Sequence, residues 1–168
     1  ILTITGKSVL VDGDSRLSAA AAAGGGKIQV GGSWQNTDPN VRQSVETSIG
    51  SGVVFDASAL EKGDGGEIIV WSDIKNPDSL TIAKGEYLSR GGIDGGNGGR
   101  LETSGYLLDV AGIDIDLMPL VASYSPGEWL IDPYNIEIFT SASNSIGTSP
   151  VYQSTASLVA TLLVPQLL

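Results

Sequence analysis

Four copies of one short pattern constrain the fold of this chain more than any other feature. Each copy is a glycine followed by a charged residue and then by an apolar residue that opens an apolar run: Gly26-Lys27-Ile28, Gly66-Glu67-Ile68, Gly99-Arg100-Leu101 and Gly127-Glu128-Trp129. Another apolar run precedes every copy, at residues 9–17, 53–60, 80–88 and 112–117. The spacing varies, but the order of the two parts is kept, and such a degenerate repeat predicts a chain of stacked, similar units. We call the first residues of the copies the corner glycines; they are Gly26, Gly66, Gly99 and Gly127.

The runs between the glycines have the short length and the alternating pattern of β-strands. Ile113 and Ile115 would face one side of a strand, while Asp114 and Asp116 face the other. The Gly, Asp, Asn and Ser residues between the runs favour tight turns and positive φ angles. The sequence therefore predicts an all-β parallel β-helix, a solenoid whose rungs turn at the corner glycines. A β-sandwich is the alternative, although the kept order of parts and the scarcity of hairpin turns favour the β-helix.

Two segments depart from the repeat. Residues 33–52 contain Asn36, Asp38 and Pro39 and match neither part, so we expect them to form one irregular excursion from the coil. Residues 154–163 predict a short amphipathic helix within the apolar terminal segment 154–168. With these exceptions, residues 1–168 are predicted to form a single β-helix segment. We interpret the chain as a piece of a longer protein.

The composition excludes several classes of function. The 168 residues include no histidine and no cysteine, which excludes Ser-His-Asp and Cys-His catalysis and the usual zinc ligand sets. A formal net charge of -10 makes nucleic acid and anionic membranes unfavourable partners, because both attract clustered Lys and Arg. No apolar run reaches the roughly 18 residues of a membrane-spanning helix, so we expect no membrane insertion. The lack of cysteine fits either a reducing cytosol or a secreted protein that crosses a pore unfolded.

Longer phrases of the sequence add a family resemblance. The most specific are GGNGGRLETSG (95–105) and WLIDPYNI (129–136), and GGKIQVGGSWQNTDPN (25–40) precedes them. In these phrases the chain resembles exoproteins of the filamentous haemagglutinin type, which are bacterial adhesins of the two-partner secretion pathway. The resemblance covers about residues 25–138. It implies a right-handed β-helix, secretion to the bacterial cell surface, and export by an outer-membrane transporter. The family's NPNG-type motifs are missing, so we expect the transporter to bind a region outside this chain.

The glycine-rich stretch 92–105 is the first candidate for a binding site. It matches neither phosphate-loop pattern, because its glycines lead into a strand-like run rather than into a helix. Asp94 and its glycines resemble one copy of a calcium-binding nonapeptide, but a site of that kind needs many stacked copies. We therefore expect no cofactor and no metal site, with calcium as the alternative, and interpret the stretch as a corner of the coil.

Exposed acids and one tryptophan are the candidates for ligand contact. Asp114 and Asp116 would project from one face of a strand, as do the paired carboxylates of polysaccharide-cleaving enzymes. No basic or aromatic cluster accompanies them, so we predict no catalytic residues and no enzyme, and interpret the acids as solubilising. Trp34 lies in the excursion, where its ring would be free to stack on a sugar. We assign candidate ligand contact to Trp34, Asp114 and Asp116.

Together these features predict a structural module of a large secreted bacterial adhesin, acting in cell adhesion or as part of an extracellular fibre. Its expected partners are a host or cell-surface glycan or protein receptor, and further copies joined end to end through open strand edges. Two alternatives share the fold. A carbohydrate-active enzyme would need a groove with paired carboxylates, and the stalk of a contact-dependent toxin would differ only in the sequence that follows.

Overall fold

The structure is a computed structural model that describes residues 1–136, 152–153 and 160–161. These residues contain sixteen short strands and one 3₁₀ turn at Trp34–Asn36, and no helix among them is long and apolar enough to cross a membrane. In chain order the strands are β1 (Leu2–Ile4), β2 (Ser8–Val11), β3 (Arg16–Ser18), β4 (Lys27–Val30), β5 (Glu46–Ile49), β6 (Val54–Asp56), β7 (Glu67–Trp71), β8 (Leu80–Ala83), β9 (Gly85–Leu88), β10 (Arg100–Gly105), β11 (Leu107–Asp109), β12 (Ile113–Asp116), β13 (Glu128–Pro133), β14 (Asn135–Ile136), β15 (Tyr152–Gln153) and β16 (Ala160–Thr161).

Each of the three main sheets takes every third strand of the chain. Sheet A has the order β1-β4-β7-β10-β13, with β16 at its edge; sheet B contains β2, β5, β8 and β11; sheet C contains β3, β6, β9 and β12. All pairs in sheets B and C are parallel, and sheet A is parallel from β1 to β13. The described chain is therefore nearly all β and built on three parallel sheets. The β-sandwich alternative is wrong, because a sandwich of that kind pairs its strands antiparallel.

The alternation of side chains decides what enters the core. Inward residues of all three sheets form one apolar cluster, in which neighbouring strands place equivalent residues in register. In sheet A, Ile68 lies beside Ile28 on one side and Leu101 on the other. In sheet C, the rings of Phe55 and Tyr87 stack with centroids 4.8 Å apart and an interplanar angle of 5°. Neighbouring parallel strands thus bury their apolar residues against one another.

The irregular excursion is shorter than predicted. Glu46–Ile49 form β5, which pairs with β2 and β8, so the prediction that residues 33–52 leave the coil is wrong for this part. Thr47 and Ile49 are buried and alternate with the outward Glu46 and Ser48, which is the strand pattern of the other rungs. The irregular part is residues 33–45, which we call the strap.

The predicted terminal helix lies largely outside the described residues. Ala160–Thr161, which are described, form β16 and pair antiparallel with Leu130 and Ile131 of β13. The helix prediction is wrong for these two residues. The physical reason is that an edge strand offers unpaired backbone groups, and a passing segment satisfies them by adding to the sheet.

Candidate functional site

The corner glycines occupy equivalent positions in the structure. The backbone N–H of each one donates a hydrogen bond to the carbonyl of the residue that directly follows a strand of sheet C. The pairs are Gly26 to Ala19 (2.9 Å), Gly66 to Ala57 (2.8 Å), Gly99 to Ser89 (2.7 Å) and Gly127 to Leu117 (2.8 Å). This bond ties the end of each sheet C strand to the start of the next sheet A strand.

A second set of backbone hydrogen bonds joins successive corners. Glu67 donates to the carbonyl of Gly26 (2.9 Å), Arg100 donates to that of Gly66 (2.9 Å), and the same bond recurs one strand further on. The backbones approach so closely that there is no room for a side chain. A Cβ atom added to Gly66 would lie 2.7 Å from the carbonyl carbon of Gly25, where ordinary contact begins at 3.4 Å. Glycine is therefore required here by packing rather than by a positive φ angle.

Glycines at these corners, paired at the first three and single at the fourth, form the floor of an open groove of about 650 Å³. One edge of the groove is a row of charged residues in register on adjacent strands, which we call the charge column: Lys27, Glu67, Arg100 and Glu128. Lys27 Nζ lies 2.6 Å from Glu67 Oε1, and the guanidinium of Arg100 pairs with the other oxygen of Glu67. The column alternates in sign, so its two positive and two negative formal charges cancel.

The glycine-rich stretch also carries side-chain hydrogen bonds to the segments before and after it in the stack. Asp64 Oδ1 accepts hydrogen bonds from the backbone (2.7 Å) and the side-chain amide (3.1 Å) of Asn97. Asn97 Oδ1 in turn accepts from the backbone N–H of Ser125 at 3.0 Å. Asp94, the predicted centre of a calcium alternative, is exposed, and no group of three or more acidic side chains converges as metal ligands in the described part of the chain. The stretch acts as a polar ladder between three successive rungs.

Trp34 lies at the start of the strap, which folds over the outer side of sheet A. Its ring is half-buried, and the guanidinium carbon of Arg100 lies 4.1 Å from the ring centroid. Further along the strap, Gln43 Oε1 accepts a hydrogen bond from Trp71 Nε1 at 3.1 Å. One face of the Trp34 ring is therefore covered by a cation, which leaves less of it for a sugar than the sequence suggested.

Asp114 and Asp116 lie elsewhere, on the outward side of β12 in sheet C. Asp114 is exposed and in register with Glu86 of β9. Asp116 is more enclosed: its Oδ1 accepts from the backbone N–H of Met118 (3.1 Å), and its Oδ2 lies 3.8 Å from Arg90 Nε. The two acids share a face of one strand, as alternation predicts, but the structure does not bring them together with Trp34.

Sequence reasoning missed the most unusual polar residue, Glu102 on β10. It occupies an outward position beside the inward Leu101, so its pattern predicts an exposed acid, yet it is fully buried. Its Oε2 accepts from the backbone N–H of Gln35 (2.8 Å) and its Oε1 from Ser104 Oγ (2.9 Å). Burial raises the pKa of this carboxyl to about 7, against the opposing effect of the two hydrogen bonds. The strap bonds to this carboxyl from 67 residues away in the chain, and no local signal in the sequence reports that contact.

Comparisons with known proteins add no family. The chain matches no protein-family model, and no curated protein matches it. The resemblance of the phrases at 95–105 and 129–136 is therefore a hypothesis that rests on the sequence. The geometry of sheets, groove and strap carries the functional argument.

Proposed function

We propose that this chain is a structural rod: a right-handed parallel β-helix segment of a large secreted bacterial adhesin of the filamentous haemagglutinin type. The observation that carries the proposal is the strand order, in which every third strand joins the same sheet in parallel. A chain that coils through rungs of three strands produces this order. The backbone bonds that recur at the four corner glycines support a constant distance between successive rungs. For paired strands this distance is about 4.8 Å.

The mechanical role follows from the direction of the hydrogen bonds. In such a coil the strand-pairing bonds of all three sheets run along one axis, so bending or extension strains many of them together. The apolar cluster and the stacked rings of Phe55 and Tyr87 run in the same direction. A rod of this kind holds binding elements at a distance from the cell that carries it. Because its role is mechanical, the proposal includes no catalytic activity.

Secretion to the cell surface is part of the proposal and is supported by composition and by local folding. The chain has no cysteine, so no disulfide would block transport of the unfolded chain through an outer-membrane transporter. Each strand in the interior of the three main parallel sheets pairs with the strands three places before and three places after it in the chain. The coil can therefore form rung by rung as the chain emerges outside the cell.

Receptor contact is proposed for the groove and the strap. The groove offers a glycine floor across four strands with the charge column along its edge, a surface suited to an extended glycan or peptide. The edges of β11 and β12 have no further strand partner among the described residues, so end-to-end contact between copies would use them.

The proposal is tested by coating beads with the purified chain and measuring their binding to host cells and to a glycan array, with and without calcium. We expect saturable binding that soluble chain competes and that calcium leaves unchanged. Glu86→Gln, which changes an exposed acid of β9 that does not line the groove, is the control variant and should bind normally. A chain that hydrolyses glycans on the array without being retained would contradict the rod and favour an enzyme.

A further inference from the structure

The strap is fastened to strands that follow it in the chain, not to its own rung alone. It leaves the end of β4 and reaches β10, where the N–H of Gln35 bonds to Glu102, and β7, where Trp71 bonds to Gln43. Its return is fixed by a backbone bond from Asp73 to the carbonyl of Ser44 at 2.9 Å. The strap therefore closes over the outer side of two neighbouring strands.

The buried position of Glu102 is unfavourable for a charged carboxylate, because burial removes the carboxylate from water. Glu67 on β7 and Asp132 on β13 both add negative charge near the carboxyl, and burial also raises the pKa of Asp132. Arg100 lies on the same strand, but its guanidinium stacks on Trp34 and pairs with Glu67. Nothing on these elements gives Glu102 a cation of its own.

The strap itself brings only backbone to this carboxyl. Its ionisable side chains, Asp38 and Arg42, are exposed. Gln35 and Asn36 have φ angles of 46° and 51°, a left-handed conformation that residues with side chains adopt at a cost. Such a conformation persists only when surrounding contacts hold it, so the strap stays closed only while its contacts outweigh this cost.

We propose that the strap is a pH-dependent flap, closed over sheet A while the carboxyl of Glu102 is protonated and opening more often as that carboxyl ionises. This inference rests on the contacts of the strap and does not depend on the proposed function. Opening releases the bond between Trp71 and Gln43 and uncovers the outward side chain of Trp71, which is buried in the closed form. The flap thus controls the access of solvent and partners to this buried apolar surface.

The sign and size of the effect follow from linkage. In the closed form the pKa of Glu102 is about 7, and in an open form, exposed to water, it returns towards its ordinary 4.5. The closed form therefore favours the neutral carboxyl of Glu102. The free energy that holds the strap closed falls as the pH rises from 4.5 through about 7. With these two values the ratio of open to closed strap rises about tenfold between about pH 6 and pH 8.

Amide hydrogen exchange at Gln35, measured by NMR and corrected for the intrinsic pH dependence of exchange, tests the proposal. We expect the protection of this amide to fall about tenfold between about pH 6 and pH 8. Glu102→Gln keeps an oxygen for the Gln35 bond but cannot ionise, so its protection should not change over this range. Glu86→Gln removes an exposed acid of the same kind and should behave as the wild type.

Two results would overturn the flap. One is a tenfold fall that persists in Glu102→Gln; the other is a wild-type protection that does not fall at all. The amide of Leu101 in the core must stay more protected than that of Gln35, because equal protection would mean that the whole chain unfolds instead. If Glu102→Gln does not fold, carbon-detected titration of Glu102 in the wild type decides, and a midpoint near 4.5 would refute the proposal.

Discussion

Replacing a corner glycine by alanine is the sharpest perturbation of the stacked rungs, and Gly66→Ala is the clearest case. The added Cβ atom would lie 2.7 Å from the carbonyl carbon of Gly25 and 2.8 Å from the amide nitrogen of Gly26. Carbon atoms in contact prefer about 3.5–4.0 Å, so the two backbones must move apart by about 1 Å. That movement stretches the hydrogen bonds from Gly66 to Ala57 (2.8 Å) and from Glu67 to Gly26 (2.9 Å).

The magnitude combines three effects. Two weakened hydrogen bonds cost about 1 kcal/mol each, and overpacking adds about 1–3 kcal/mol. Loss of glycine's freedom in the unfolded chain offsets about 0.5–1 kcal/mol. Gly66→Ala should therefore lower the free energy of unfolding by about 2–4 kcal/mol.

Urea unfolding followed by circular dichroism measures this change, and Gly112→Ala is the matched control. Gly112 has a φ angle of +84°, but no atom lies within 4 Å of an added Cβ. The control should cost only the backbone strain of the left-handed region, about 1 kcal/mol. If Gly66→Ala costs no more than Gly112→Ala, close approach of the rungs at this corner is refuted.

Three further predictions concern the core, the buried acid and the strap. Leu101→Ala should lower the free energy of unfolding in urea by about 2–5 kcal/mol, because the Leu101 side chain is buried. Leu107 is exposed, so Leu107→Ala should change it by less than about 0.5 kcal/mol. Equal costs would contradict the inward assignment of Leu101. In a pH series of urea titrations, the free energy of unfolding should fall by about 3 kcal/mol as the pH rises from 4.5 through about 7, because the fold favours neutral Glu102. Glu102→Gln should remove that fall. Trp71→Phe removes the hydrogen bond to Gln43 and should lower the free energy of unfolding by about 1 kcal/mol. The variant should also be cleaved faster by trypsin within the strap. Unchanged cleavage would show that this bond does not anchor the strap.

The repeat in the sequence predicts the parts of the fold that depend on neighbouring residues. Alternation predicts that Leu101 and Ile113 face inward, and both lie in or against the apolar cluster. It also predicts that Ile69 faces inward, which is wrong, because Ile69 is buried on the outer side of sheet A. The glycine–charge–apolar pattern identifies four positions that make the same backbone bond. Local chemistry is sufficient here because the same strand pairing and the same corner bond recur along the chain.

Boundaries within a rung were harder to predict. Residues 9–17 read as one apolar run, yet they contain the end of β2 and the start of β3. Gly13 has a φ angle of +70°, and Ser15 Oγ donates to the carbonyl of Asp12 at 2.6 Å, so the chain turns between the two strands. A short turn of this kind changes the sheet that a strand joins without interrupting the apolar pattern.

The strap and the acid beneath it could not be predicted from local pattern. Gln35 and Glu102 are 67 residues apart in the chain, and their contact depends on where an irregular segment folds back. The neighbouring Trp34 was predicted to have a free ring, but the guanidinium of Arg100 covers one face of that ring. The packing of a segment outside the repeat leaves no periodic signal in the sequence. This packing decides which side chains of the surface are covered.

Cysteine cross-linking tests most directly the central claim that the chain is a stack of three-strand rungs. The chain has no cysteine, so introduced pairs report only on themselves. Ser8 and Glu46 in sheet B, and Glu86 and Asp114 in sheet C, are exposed and in register on adjacent strands, at about the 4.8 Å spacing that suits a disulfide.

The stacked rungs predict that the double-cysteine variants at 8 and 46, and at 86 and 114, each form an intramolecular disulfide under native conditions. A variant with cysteines at 8 and 114, which lie in different sheets, should remain reduced. Failure of both in-register pairs to oxidise, or oxidation of the control at the same rate, would contradict the stack.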